Sequence, residues 1–286
     1  MGTYIEPQKF SELLGNVFIF DLEYVGTSSN LNDCYIWDIG ITHLCSNAVF
    51  EVSITPDISP IPPPFSEDFV QVTPELLESR NAGTFENAWL QLNQFINTVK
   101  LVSSGPTIFM AHNCFKSDKL MLEIDCGRHN IRMPYSWYFF DTLIYCRKII
   151  LKQPSYTLND IHRFLFKKDI PNHHFAISDS IALKNILLSM DVNMLEGPIY
   201  PSYHTSLQAI KWLGPSSERI LFMNNVRSVE MLVNQILLHY CDNQINHYHV
   251  PLQQFLENFF VERYNIKKGN ATSISNSLMQ KWIQGI

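Results

Sequence analysis

Ten residues near the start of the chain, Val17–Gly26 (VFIFDLEYVG), constrain the fold more than any other stretch. A short apolar run rich in β-branched and aromatic residues reads as a buried strand. Two acids interrupt it. Asp21 and Glu23 stand two residues apart, so they share one face of that strand, about 6.6 Å apart at ~3.3 Å per residue. Buried like charges cost free energy unless water or a cation stands against them. Either the strand ends in solvent here or the fold places positive charge beside it, and this stretch alone leaves both open.

The neighbouring segments set the architecture. Residues 34–44 and 48–56 read as strands joined by a tight turn at 45–47, giving a hairpin beside the first strand. Five prolines in residues 56–65 demand an extended loop. Thr73 followed by Pro74 opens a short helix, as an N-cap with proline at the first helical position. Phe85, Ala88, Trp89, Leu92, Phe95, Ile96 and Val99 recur at helical spacing, so a second helix follows. Strands are expected at 106–111 and 137–140, and helices at 119–126, 141–151, 157–167 and 179–190. Strands first, then strands alternating with helices, predict an α/β domain with a mixed five-stranded sheet flanked by helices. That domain is expected to end near Glu196-Gly197-Pro198. Residues 1–200 thus form one domain, and 201–286 a smaller all-α C-terminal region.

Composition narrows the class. The chain has 286 residues, 46% of them hydrophobic, enough for a substantial core. No apolar run approaches the roughly 20 residues that span a bilayer, and no secretory leader is visible, so a soluble protein without membrane partners is expected. Six cysteines without a CxxC pair fit free thiols in an intracellular setting. His112, Cys114, Cys126 and His129 match no common zinc spacing, so zinc is not expected. Residues 201–286 hold seven Lys/Arg and five Asp/Glu, leaving the rest of the chain at −8 within a net charge of −6. A body this acidic does not attract nucleic acid unaided. If it acts on phosphodiesters, metal ions must neutralise its site.

Two further carboxylates stand at element edges. Asp118 opens a helix just after the strand at 106–111, and open α/β sheets bind ligands beyond such strand ends. In HHFAISD, residues 173–179, His174 precedes Asp179 by five positions. Five helical residues turn the chain by about 140°, so His174 is expected on the loop before the helix and Asp179 at its start. His173 is the rival for any role given to His174. Each of these residues alone fits an ordinary surface or capping role. Together with Asp21 and Glu23 they make four carboxylates and one histidine facing one end of a sheet.

The set DLE at 21–23, His112-Asn113 leading to Asp118, and HxAxxD at 174–179 resembles the three motifs of the DEDDh exonucleases. That family includes proofreading epsilon subunits, RNase T and TREX-type enzymes, all RNase H-like in fold. The resemblance spans roughly residues 15–190 and takes in Ile36-Trp37-Asp38-Ile39-Gly40, Phe140-Asp141-Thr142-Leu143 and Tyr156-Thr157-Leu158. Val25 departs from the family's usual Thr, and Phe175 from a frequent Arg or Asn. The resemblance implies a metal-dependent 3′–5′ exonuclease acting on DNA or RNA and releasing nucleoside 5′-monophosphates. It implies that Asp21, Glu23, Asp118 and Asp179 hold two Mg²⁺ or Mn²⁺ ions and that His174 is the general base. Leu22, Tyr24, His112 and Asn113 would line the terminal-nucleotide pocket, and Asp141 would be structural. The competing expectation is a non-catalytic nucleic-acid-binding or scaffolding protein on the same fold, but such relatives usually lose ligands and this chain keeps all five positions.

The C-terminal region adds a segment, residues 207–232, that resembles a helix-hairpin-helix unit around Leu213-Gly214-Pro215. Amides at such a hairpin can bind phosphate, with Lys211, Arg219, Arg227, Lys267 and Lys268 nearby. The bland reading is an ordinary helical turn. Leu252, Phe255, Leu256, Phe259 and Phe260 form an apolar helix face expected to pack on the core or on a partner, including a second copy of the chain.

Overall fold

The computed structural model of the chain describes residues 3–5, 13–26, 31–64, 66–67, 69–101, 105–150, 152–190, 197–202, 207, 210, 213–224, 226, 228–245 and 251–283. They fall into two compact units, Thr3–Ser202 and Tyr203–Ile286.

The larger unit is built on one mixed sheet. Its strands are β1 (Thr3–Ile5), β2 (Val17–Gly26), β3 (Cys34–His43), β4 (Val49–Ser53), β5 (Thr107–Ala111), β6 (Trp137–Asp141) and β7 (Gly197–Pro201), in spatial order β1-β7-β6-β5-β2-β3-β4. The five expected strands lie side by side from β6 to the outer strand β4, and β7 and β1 extend the sheet beyond β6. The helices are α1 (Pro74–Ser79), α2 (Phe85–Val99), α3 (Asp118–Arg128), α4 (Thr142–Ile149), α5 (Leu158–Phe166) and α6 (Ala176–Ser189). The stretch expected to close the domain, Gly197-Pro198, instead enters β7, antiparallel to both β6 and β1. Pro198 is paired only with Tyr4 of β1 and Pro201 only with Tyr138 of β6, so each proline's missing N–H can face the unpaired side, and a residue pair that reads as punctuation is part of the sheet.

Strand β2 runs through the middle, parallel to β5 and antiparallel to β3. Its two faces divide the core. Val17 and Ile19 join Ile108, Met110 and Phe140 under α4, α5 and α6. Phe18 and Phe20 point the other way into an aromatic layer. There Phe20 meets Phe109 edge-on at 5.6 Å and Phe109 stacks on Phe139 at 5.5 Å, geometries that add to the gain from burial. Asp21 and Glu23 continue the parity of Val17 and Ile19, so they emerge on the α6 side, beyond the buried half of the strand.

The smaller unit contains α7 (Pro215–Met223), α8 (Val229–Ile245), α9 (Leu252–Asn258) and α10 (Lys268–Ile283), with a π-type turn at Phe259–Arg263. Phe255, Leu256, Phe259 and Phe260, expected to pack on the core or on a partner, are buried in this unit's own core with Leu213, Leu221, Leu232 and Ile274. Of the hairpin-like segment, Lys211 and Arg227 lie outside the described residues, as does the side chain of Arg219.

Candidate active site

Three segments converge where β2 and β5 end. On β2, Asp21 pairs with Gly40 and Glu23 with Asp38. Tyr24 then pairs with Ile36, leaving Trp37 as the extra residue of a bulge. Bulges bend a strand and re-aim its side chains, and this one falls where Glu23 enters a cleft.

The second segment leaves β5. Asn113 takes a left-handed backbone, φ 65°, which Asn tolerates better than most residues. Asp141 at the end of β6 accepts hydrogen bonds from the Asn113 N–H at 3.0 Å and the Leu143 N–H at 2.9 Å. It therefore stitches the 112–117 turn to β6 and caps α4, the structural part its sequence context implied. Asp118 then opens α3, and its Oδ1 accepts the Leu22 N–H at 3.1 Å. A backbone group lying between Asp21 and Glu23 thus holds the third carboxylate in place.

The third segment enters α6, which starts at Ala176 rather than 179. Phe175 has no capping side chain. Fully buried Asp38 on β3 takes that part instead, accepting the Ala176 N–H at 3.1 Å together with Ser53 Oγ at 3.0 Å and Arg80 Nη2 at 2.9 Å. Arg80 also lies over the Phe175 ring, 5.1 Å from its centroid. Gly40 makes the approach possible: a Cβ there would stand 2.1 Å from Ala176 C and from Ile177 N. The helix start rests on bare backbone directly across from Asp21. As a result Asp21, Glu23 and Asp179 each offer a carboxylate oxygen within 4.8 Å of the other two.

His174 sits on the turn before α6, as its spacing implied, with φ 69°. Its backbone N–H donates to Asp179 Oδ2 at 3.2 Å, and its Nδ1 is 3.8 Å from Glu23 Oε1. His173 Nδ1 lies 2.8 and 2.9 Å from the two oxygens of Asp179. The rings of the two histidines stack at 3.9 Å, and Phe69 covers His174 at 4.2 Å.

The cleft, about 220 Å³, is lined by all four acids, both histidines, Leu22, Tyr24 and His112. A wider groove of about 1060 Å³ shares His112, His173 and His174 with it and adds Asn113, Arg147 and Arg163. His112 is more a strut than an open contact. Its Nε2 donates to the Tyr156 carbonyl at 2.8 Å, and burial lowers its pKa to about 4, so it is a neutral imidazole tying this turn to the 152–157 loop. Sequence reasoning missed Phe69 and Ser117. Phe69 follows a proline-rich loop and carries no local signal, and Ser117 is one of many serines.

The acids are held against their preference. Burial raises the pKa of Asp21 well above the usual carboxylate range, with the charges of Asp118 and Glu23 adding to it. Burial also raises Glu23, partly opposed by the neighbouring imidazole of His174, and lifts Asp118 to about 8. Crowded, buried oxygen donors of this kind are the set that Mg²⁺ or Mn²⁺ would neutralise. The donors present fit such ions.

The chain matches the RNase T family model, described as an exonuclease, over residues 18–187. No curated protein gives a significant match. Among solved structures, the nuclease domain of 3′hExo, a DEDDh family member bound to rAMP, aligns at 13% identity and TM-score 0.48, over 63% of this chain and 95% of its own. A 3′-exonuclease in a study of 3′-end recognition of the histone mRNA stem-loop aligns at 14% and 0.49, over 63% of this chain and 65% of its own. Cell-death related nuclease 4 aligns at 16% and 0.47, over 64% and 65%.

Proposed function

Because the chain belongs to the RNase T exonuclease family, we propose that it removes nucleotides one at a time from the 3′ end of a nucleic acid at the cleft between β2 and α6. The observation that carries this reading is the convergence of Asp21, Glu23 and Asp179 within 4.8 Å, with Asp118 and His174 lining the same cleft.

Asp21, Glu23, Asp118 and Asp179 would hold two divalent cations, Mg²⁺ or Mn²⁺. Bound there, the cations would supply counter-charge for an in-line displacement at phosphorus. The rest falls to the chain's own groups. His174, on the turn before α6 and facing Glu23, takes the proton from the attacking water. The water oxygen bonds to phosphorus as the bond to the preceding nucleotide's 3′ oxygen breaks, leaving a nucleoside 5′-monophosphate. Leu22 and Tyr24 line the terminal-nucleotide end of the cleft, and Asn113 borders the groove beside it. Arg147, exposed on that groove, offers positive charge to the strand running away from the cleft. The helical C-terminal unit would add grip on longer strands through its lysines.

The test supplies the protein with Mg²⁺ and with DNA and RNA oligomers of one sequence, labelled at either end. The expected result is a ladder retreating from the 3′ end, with 5′-monophosphates identified by mass spectrometry. Release of label from the 5′ end first, or of nucleoside 3′-monophosphates, contradicts the reading.

A further inference from the structure

Phe69 is 40% exposed, yet its ring lies beside the most polar part of the molecule. Its neighbours explain how it gets there. Val70 and Val72 anchor the loop in a small cluster with Trp37, Leu77 and Phe175, and Phe69 itself is not in that cluster. The Phe69 N–H donates to Ser66 O at 3.1 Å, closing a turn that carries the ring toward the cleft. The contact it makes there is with His174: centroids 4.2 Å apart, planes inclined by 34°. The opposite ring neighbour of His174 is His173, at 3.9 Å and 21°. His173 is in turn fixed by its hydrogen bonds to Asp179.

We propose that Phe69 and His173 form a clamp on the imidazole of His174, making Phe69 a positioning residue for the hydrolytic step. The inference rests on the reading of His174 as general base. A side chain on a turn ordinarily samples several rotamers. Here the backbone N–H of His174 is tied to Asp179 and its ring packs against two others, one stacked and one tilted, which restricts how far it can tip. A proton acceptor that must meet a water at hydrogen-bond distance gains from that restriction, because small misplacements of a reacting group cost large factors in rate. The same ring could instead serve as a platform for the terminal base, and the two roles leave different kinetic signatures.

The experiment compares Phe69→Leu, which keeps the apolar bulk and removes the ring, with Phe69→Tyr, which keeps the ring, both in the full chain. Loss of one aromatic pair corresponds to about a 10-fold effect. The expected result for Phe69→Leu is kcat about 10-fold lower with KM within about twofold of wild type, and recovery in Phe69→Tyr. The independent readout is the NMR signal of the His174 ring protons, assigned with His174→Gln. Their ring-current shift is expected to collapse in Phe69→Leu and to persist in Phe69→Tyr, whether or not substrate is present. An unchanged shift, an unchanged kcat, or a rise in KM alone overturns the clamp. If His174→Gln leaves turnover intact while the shift behaves as expected, the general-base reading fails and the clamp is a packing feature without a catalytic part.

Discussion

His174 and His173 are adjacent, and both touch the site, so their roles separate only by geometry. His173 commits its Nδ1 to both oxygens of Asp179, whereas His174 faces Glu23 and packs against the rings of Phe69 and His173. Replacing His174 by Ala is expected to lower turnover by about 10²–10⁴-fold, the range for losing a general base, with Mg²⁺ binding little changed. Single-turnover rates and a metal titration on the same sample check both halves. A crippled His173→Ala beside a near-normal His174→Ala would reverse the assignment. The acids were legible in the sequence because a carboxylate inside VFIFDLEYVG contradicts its surroundings and needs a reason. Phe69 was not legible, because an aromatic after a proline-rich loop contradicts nothing. Asp38 belongs to a recognisable motif, yet its capping of a helix 138 residues away exists only in three dimensions.

The strands and helices follow the same division. Segments with strong periodicity, such as α2 and β2, fall where the pattern puts them. Strands β1 and β7 were missed because the three residues of β1 carry no periodicity and Gly197-Pro198 reads as a break. The start of α6 was misjudged by three residues because its cap comes from β3. That junction gives a sharp expectation for Gly40. A methyl group 2.1 Å from the backbone of Ala176 and Ile177 cannot be absorbed by a side-chain shift, so Gly40→Ala must push α6, and Asp179 with it, away from Asp21. Activity should fall by at least about 100-fold, since a displacement near 1 Å is enough for that. Circular dichroism should still report a folded α/β protein. Wild-type activity in this variant would mean that the α6–β3 contact does not position the site.

For the molecule as a whole, charge links the site to stability. Asp118, raised to about 8, keeps its proton in the fold well above its ordinary range. Asp21 and Glu23 are displaced in the same direction. A carboxyl whose folded value exceeds its unfolded one makes the folded state bind more protons, so stability is greatest at low pH and is lost as pH rises from about 4 to about 8. Divalent cations substitute for those protons, so the gain in melting temperature on adding Mg²⁺ or Mn²⁺ should be larger near pH 8 than near pH 5. An equal gain at both values argues against cation binding by these acids. The C-terminal unit has its own buried core, and Lys267 and Lys268 are exposed on it. Lys267→Glu with Lys268→Glu should weaken binding of long oligomers and flatten its log–log salt dependence by about 0.7–0.9 for each phosphate no longer neutralised, while short oligomers are cleaved as before. An unaltered slope makes that unit structural. The claim everything else depends on is that the four acids work through bound cations at the β2–α6 cleft. Hydrolysis of a 5′-labelled oligomer by wild type, by wild type in excess EDTA, and by Asp179→Ala tests it most directly. Shortening from the 3′ end is expected in the first and none in the other two, with the variant still folded; undiminished cleavage in chelator or by the variant would contradict it.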